Sequence, residues 1–256
     1  MPVATIKVPS KLSGLALAQL RQQLESALAG DAVRVLVLRG TRESFCSGMD
    51  LGEISLAPAL VTDGSCADPE PLMSPWEQGT RDFTAVLQTL LDSKPVTLAL
   101  VEGAALGGGT GLVAACDLVL ATEQANFALP ELLLGLVPAI ILPVLAERLG
   151  LHQAKRWAIT QATWQAGEAQ ARGLVDEVVP YDNIEATLKR TLRTLLRVHP
   201  RGVTALKRYA RKLSSTNVVA SMLEGQKLLL ELLSQSEARA DVIAFRDFGL
   251  LPGQTE

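Results

Sequence analysis

Two glycine-bearing turns carry the residues in this sequence best suited to chemistry. The first is Phe45-Cys46-Ser47-Gly48-Met49-Asp50; the second is Glu102-Gly103-Ala104-Ala105-Leu106-Gly107-Gly108-Gly109. Each follows an apolar strand pattern, and a helical pattern begins near Gly109. Glycines at a strand-to-helix turn leave backbone N–H groups unobstructed by Cβ atoms, and the helix N-terminus adds partial positive charge. Competing chemistries fail on spacing. A dinucleotide fingerprint would need a glycine where Leu112 stands, and a Walker loop would need a lysine after Gly108 or Gly109. There is no Gly-x-Ser-x-Gly elbow, and neither His152 nor His199 sits where it would activate a nucleophile. Cys46 and Cys116 flank the motifs without an evident base and read as small buried residues. What remains is a pair of backbone donors aimed at one oxygen, the requirement for stabilising a thioester enolate.

The chain that must position these turns has 256 residues, 24 Lys+Arg against 27 Asp+Glu, and 48% apolar residues. That is enough for one large α/β domain or two small ones, and it excludes a generally basic nucleic-acid binder and a disordered chain. Three cysteines without C-x-x-C spacing and two histidines point to a disulfide-free, metal-free cytoplasmic protein. The N-terminus lacks the pattern of a secretory signal. The greasiest stretch, 132–146, is short of the ~20 residues of a membrane span and is interrupted by Pro138 and Pro143. It reads as a buried core or subunit-contact helix, so the expectation is a soluble protein with no membrane partner.

Apolar runs at 33–38, 96–101 and 118–121 predict strands buried on both faces. Leu17, Leu20, Leu24 and Leu28, and then Phe83, Val86, Leu87, Leu90 and Leu91, recur at helical spacing. Strands alternating with helices imply parallel β-α-β units. The last third is helical only, with apolar positions at Ile184, Leu188, Leu192 and Leu195, then Met222, Leu223, Leu230 and Leu233. The expected division is an α/β core over 1–185 and a helical region over 186–256, packed on the core or on a neighbouring subunit. The stretch 57–71 breaks every periodicity and reads as a lid or a surface insertion. Between Ala186 and Leu223 there are nine positive charges and no acidic residue, which suggests an anionic partner or a solvated helix face.

The two turns, together with Ala115-Cys116-Asp117, Leu129-Pro130-Glu131-Leu132 and the run Ala169 to Asp176, resemble the enoyl-CoA hydratase/isomerase (crotonase) superfamily in order and spacing. The resemblance implies an α/β, ClpP-like fold of repeated ββα units with a helical C-terminal region, assembled as trimers or dimers of trimers. It assigns the oxyanion donors to the backbone N–H groups of Met49 and Gly108. Hydratases of the family use two glutamates. One position holds Glu131, in an apolar neighbourhood that favours a desolvated carboxyl. The other falls on Gly111, which cannot transfer a proton and leaves Glu131 as the sole acid/base candidate. Asp50 and Asp117 also match family positions and read as capping and turn-forming carboxylates.

The segment from Glu131 through Pro138-Ala139 to Leu142-Pro143 is similar to one subgroup, the dehydratases of polyketide β-branching cassettes. These convert 3-hydroxy-3-methylglutaryl on an acyl carrier protein to 3-methylglutaconyl. The resemblance implies no cofactor beyond the phosphopantetheine of a carrier protein or coenzyme A that bears the substrate. Gly52 stands where many coenzyme A-using relatives carry lysine, which favours the carrier. Arg81 is the first candidate for the substrate carboxylate, and Arg193, Arg197 and Lys207 for the carrier or coenzyme A. The alternatives are an enoyl-CoA hydratase or isomerase and a catalytically silent scaffold.

Overall fold

The computed structural model describes residues 2–56, 75–213, 217–234 and 236–249, with backbone alone at 54–56, 75, 213, 233–234, 236–239 and 248. The irregular stretch expected at 57–71 lies outside the described residues.

Two sheets stand at the centre. The larger is parallel and runs β1 (Val3–Lys7), β2 (Val35–Arg39), β4 (Val96–Val101), β6 (Leu118–Thr122) and β9 (Glu177–Val179). The smaller runs β3 (Ser44–Cys46), β5 (Ala104–Leu106), β7 (Asn126–Ala128) and β8 (Trp164–Gln165). Each long inner strand is followed by a short one that crosses to the second sheet, so β2–β3, β4–β5 and β6–β7 are the repeated units. This is the expected α/β architecture. The strands β2, β4 and β6 lie at or within two residues of the predicted runs. The short strands carry no legible periodicity, because three residues beside glycines cannot establish an alternation.

Alternation along β2 and β4 divides the core. Leu36, Leu38, Ala99 and Val101 face one layer with helices α1 (Gly14–Leu28) and α2 (Pro75–Asp92). Val35, Val37, Leu98 and Leu100 face the other, where α7 (Ile184–Leu195) lays Leu188, Leu192 and Leu195. Leu17, Leu20 and Leu24 of α1 and Phe83, Val86, Leu87 and Leu90 of α2 are buried, as the helical spacing predicts. Burying each such side chain contributes on the order of 2 kcal/mol.

The stretch 132–146 is not one helix. A 3-10 turn over Glu131–Leu134 ends at Gly135 (φ +68°), irregular chain follows, and α4 spans only Leu142–Leu149, with Pro143 in its first turn. Glycine in the left-handed region and the proline, which tolerates only the first turn, account for the break.

The C-terminal helices return to the chain's own core. Helix α8 (Pro200–Leu213) is pinned by Lys207, and α9 (Val218–Ser234) packs on α2 and α4. Helix α10 (Ser236–Phe248) lies against α9 and against the 3-10 turns Leu51–Leu56 and Glu131–Leu134. Among the described residues no helix is long and apolar enough to cross a membrane.

Candidate active site

The ends of three adjacent short strands build the site. Strand β3 pairs with β5 (Cys46 opposite Ala105), and β5 pairs with β7 (Leu106 opposite Ala128), all parallel. Neighbouring strands lie about 4.8 Å apart. The residues just past their C-terminal ends, Gly48-Met49, Gly107-Gly108 and Pro130-Glu131, are therefore delivered side by side. That is the edge where parallel sheets present ligand sites.

The two glycine-bearing turns touch. Gly48 has φ +87°, and a Cβ placed on it would lie 2.9 Å from the Leu106 carbonyl oxygen and 3.2 Å from the Gly108 nitrogen. Only glycine fits there. Leu12 donates to the Gly48 carbonyl at 2.9 Å, and the Asp50 amide donates to the Leu12 carbonyl at 3.1 Å. The intervening Met49 amide therefore points away from Leu12. Gly108 opens helix α3 (Gly108–Ala114). Its N–H is one of the orphan donors of a helix start, held in place because Gly107 N–H donates to Ala128 O at 2.9 Å. Among the described residues neither the Met49 nor the Gly108 amide has a protein acceptor. Two smaller braces fix the first turn: Gly14 N–H donates to the Glu53 carboxylate at 2.9 Å, and Gly52 N–H to Asp50 Oδ1 at 3.1 Å.

Glu131 closes the constellation. A Cβ on Gly107 would come 3.0 Å from Glu131 Oε1, so the carboxyl rests directly against the second glycine-bearing turn. Burial pushes its pKa from an ordinary 4.5 up to about 7, partly offset by a hydrogen bond from its own backbone amide. Its Oε2 is buried with no hydrogen-bond partner. A carboxyl poised near neutrality, with one oxygen free of donors, can both take and return a proton.

The three groups line one cavity of about 300 Å3, walled by Trp76, Thr80 and Phe83 of α2, by Leu134 and Ile140, and by Leu229 of α9 and Phe245 of α10. No Lys, Arg or His lines it among the described residues. The C-terminal helices thus roof the chain's own site, and Gln226 of α9 donates to the buried Thr80 hydroxyl at 3.2 Å. A Cβ on Gly111 would fall 2.3 Å from Ile141 Cγ2. The space of a second carboxylate is filled by isoleucine, a contact between distant segments that nothing in the local sequence announces.

Four of the expected binding residues are placed elsewhere. Arg81 is half-exposed and pairs with Glu77 at 3.2 Å. On α2 the cavity-facing residues are Trp76, Thr80 and Phe83, at i, i+4 and i+7, and Arg81 is one step around the helix from that stripe. Arg193 and Arg197 are exposed on and just beyond α7, across the large sheet from the cavity. Lys207 is a structural clamp, with its three protons directed to Asp117 (2.7 Å), the Pro95 carbonyl (3.1 Å) and Ser93 (3.3 Å). Asp117 also accepts from the Thr97 amide at 2.8 Å, so in place of the local turn expected of it the carboxylate ties the start of β6 to β4 and to α8. The thiols of Cys46 and Cys116 are buried, which raises their pKa to about 11 and 12 and disfavours a thiolate.

Two sheets joined by β-α crossovers bring two unpartnered backbone amides and one carboxyl with a buried oxygen to a single cavity. Residues 5–248 match the enoyl-CoA hydratase/isomerase family, and the chain belongs to it. It is an enzyme of the hydro-lyase type found in that family. It is 30% identical to 2,3-dehydroadipyl-CoA hydratase of Escherichia coli, over 91% of this chain and 86% of the relative. It is 29% identical to bacillaene synthase dehydratase PksH of Bacillus subtilis, over 88% and 81%. Against mevalonyl-coenzyme A hydratase sidH of Aspergillus fumigatus the identity is 34%, but the match spans 67% of this chain and only 59% of that protein. The crystal structure of Bacillus subtilis PksH superposes with a TM-score of 0.82 over 98% of this chain and 96% of that one, at 24% identity.

Proposed function

We propose that the protein dehydrates a β-hydroxyacyl thioester, 3-hydroxy-3-methylglutaryl on an acyl carrier protein, to the 3-methylglutaconyl thioester. The observation that carries a one-carboxyl elimination is Glu131, whose Oε2 is buried and unpartnered while Oε1 lies against Gly107, with Ile141 filling the place of a second acid. The thioester oxygen sits between the Met49 and Gly108 amides, each such donor contributing ~3–4 kcal/mol in the transition state. Ionised Glu131 removes a Cα proton, and the electron pair passes to the thioester oxygen as an enolate. The same carboxyl then protonates the β-hydroxyl, and the enolate collapses to the enoyl thioester with loss of water. One group serving both carbons makes the elimination syn.

The likeness to PksH, a bacillaene synthase dehydratase, supports the polyketide reading, and Gly52 in place of the usual lysine supports the carrier over coenzyme A. The similarity to 2,3-dehydroadipyl-CoA hydratase supports the alternative of hydration on a coenzyme A thioester. Trimeric assembly and a cytoplasmic setting belong to the same proposal. Incubation with the carrier-borne substrate, followed by intact-protein mass spectrometry, should show loss of the mass of one water. No mass change there, with turnover of the coenzyme A enoyl thioester, would establish the alternative.

A further inference from the structure

The glycine-bearing turn that carries Met49 is hung on the segment leading into α1. Ser47 donates through its amide and its hydroxyl to the Ser10 carbonyl, each at 2.8 Å. Leu12 is bonded to Gly48 and Asp50, on either side of Met49. Beyond Asp50 the tie is made by a side chain. Glu53, in the 3-10 turn that follows, reaches back to the start of α1, where both carboxylate oxygens accept from the Gly14 N–H, at 2.9 and 3.0 Å.

Charge suits Glu53 to that place. Helix α1 has 15 residues, no acidic residue in its first turn, and one side-chain cap, Ser13 Oγ on the Ala16 amide at 3.2 Å. The Gly14 N–H is an orphan donor of the helix start, and a carboxylate there both satisfies it and meets the positive end of the helix. Among the described residues the Glu53 carboxylate has no other partner. Helix α2 closes over the same segment. A Cβ on the buried Gly79 would lie 3.3 Å from Met49 Cε and 4.0 Å from Glu53 Oε2. The Met49 and Glu53 side chains therefore lie together under α2, and a shift of one is felt by the other.

We infer that Glu53 is a positioning residue for the first oxyanion donor: its carboxylate, clamped on the start of α1, fixes the segment that aims the Met49 N–H. The assignment rests on the oxyanion reading of the site and holds whatever acyl group the cavity takes. A donor held in advance stabilises the charge that develops on the thioester oxygen without rearranging during the reaction. With Glu53 removed the thioester still binds, but the donor is aimed less well, so kcat falls and KM changes little.

The test reads the thioester carbonyl itself. Bound 3-methylglutaconyl and but-2-enoyl coenzyme A, each labelled with carbon-13 at that carbonyl, are compared by difference infrared spectroscopy. In the wild-type protein the carbonyl band should move to lower frequency on binding. In Glu53→Ala roughly half of that shift or more should be lost, with kcat for dehydration down about tenfold or more. Glu53→Gln keeps an acceptor oxygen without the charge, so its shift should fall in between. Ser13→Ala removes the other cap of the same helix and should leave the shift whole, although it too destabilises α1. A full wild-type shift in either Glu53 variant, or an equal loss in Ser13→Ala, would overturn the assignment, since a merely looser α1 would act through both residues. A wild-type protein that shifts neither carbonyl would sink the oxyanion reading itself, and the assignment with it.

Discussion

Glu131→Gln should cost about 10^4 in dehydration while making the folded protein more stable at neutral and alkaline pH. The loss lies at the upper end of the usual 10^2–10^4 for a general acid or base, because one carboxyl carries both proton transfers. The gain in stability follows from the same desolvation. The folded-state carboxyl titrates near 7 and the unfolded one near 4.5, so the native state binds this proton more tightly. The native state therefore loses relative stability as pH rises from 4.5 to 7, and the full penalty of up to about 3 kcal/mol holds above that range. Glutamine, neutral and isosteric, escapes the penalty. Denaturant melts at pH 8 and pH 5 should show a stabilisation at the higher pH that shrinks at the lower. A variant that keeps its activity, or that is no more stable at pH 8, would count against a functional buried carboxyl.

Gly111→Glu should not create a two-glutamate hydratase; it should destabilise the fold by ~3 kcal/mol or more. A Cβ at 111 collides with Ile141 Cγ2 at 2.3 Å and comes within 3.6 Å of Phe83 Cζ, so the core is overpacked even before a carboxylate is buried there. Pairing the change with Ile141→Gly opens the space and should recover most of the folded yield. Thermal melts of the single and double variants decide the matter. A single variant as stable as the wild type would mean that Ile141 does not hold the position.

The core of the candidate site is legible in the sequence and much of the rest is not, for reasons that differ by residue. The glycines mark the two turns locally, the family resemblance assigns Met49, Gly108 and Glu131 within and beside them, and the structure brings all three to one cavity. The long strands announce themselves by apolar runs buried on both faces. By contrast, Ile141 against Gly111 is a contact between segments thirty residues apart, and no local pattern carries it. Arg81 shows the limit of residue type as a guide. It is a cation near the site in sequence, yet one step of 100° from Thr80 takes it off the cavity face. A signal for Trp76 was available in its i, i+4, i+7 relation to Thr80 and Phe83, since Phe83 belongs to the buried stripe of the same helix. The basic run in the last third reads as one surface only until folding distributes it. Lys207 is consumed by Asp117, and Arg193 and Arg197 fall beyond the sheet from the cavity.

The pH dependence of kcat/KM for dehydration tests single-carboxyl chemistry most directly. A lone buried carboxyl that must be ionised to begin the reaction gives one rising limb, tenfold per pH unit below an inflection near 7 and flat above it. A bell with a second, falling limb would require another ionising acid in the site and would contradict elimination by Glu131 alone.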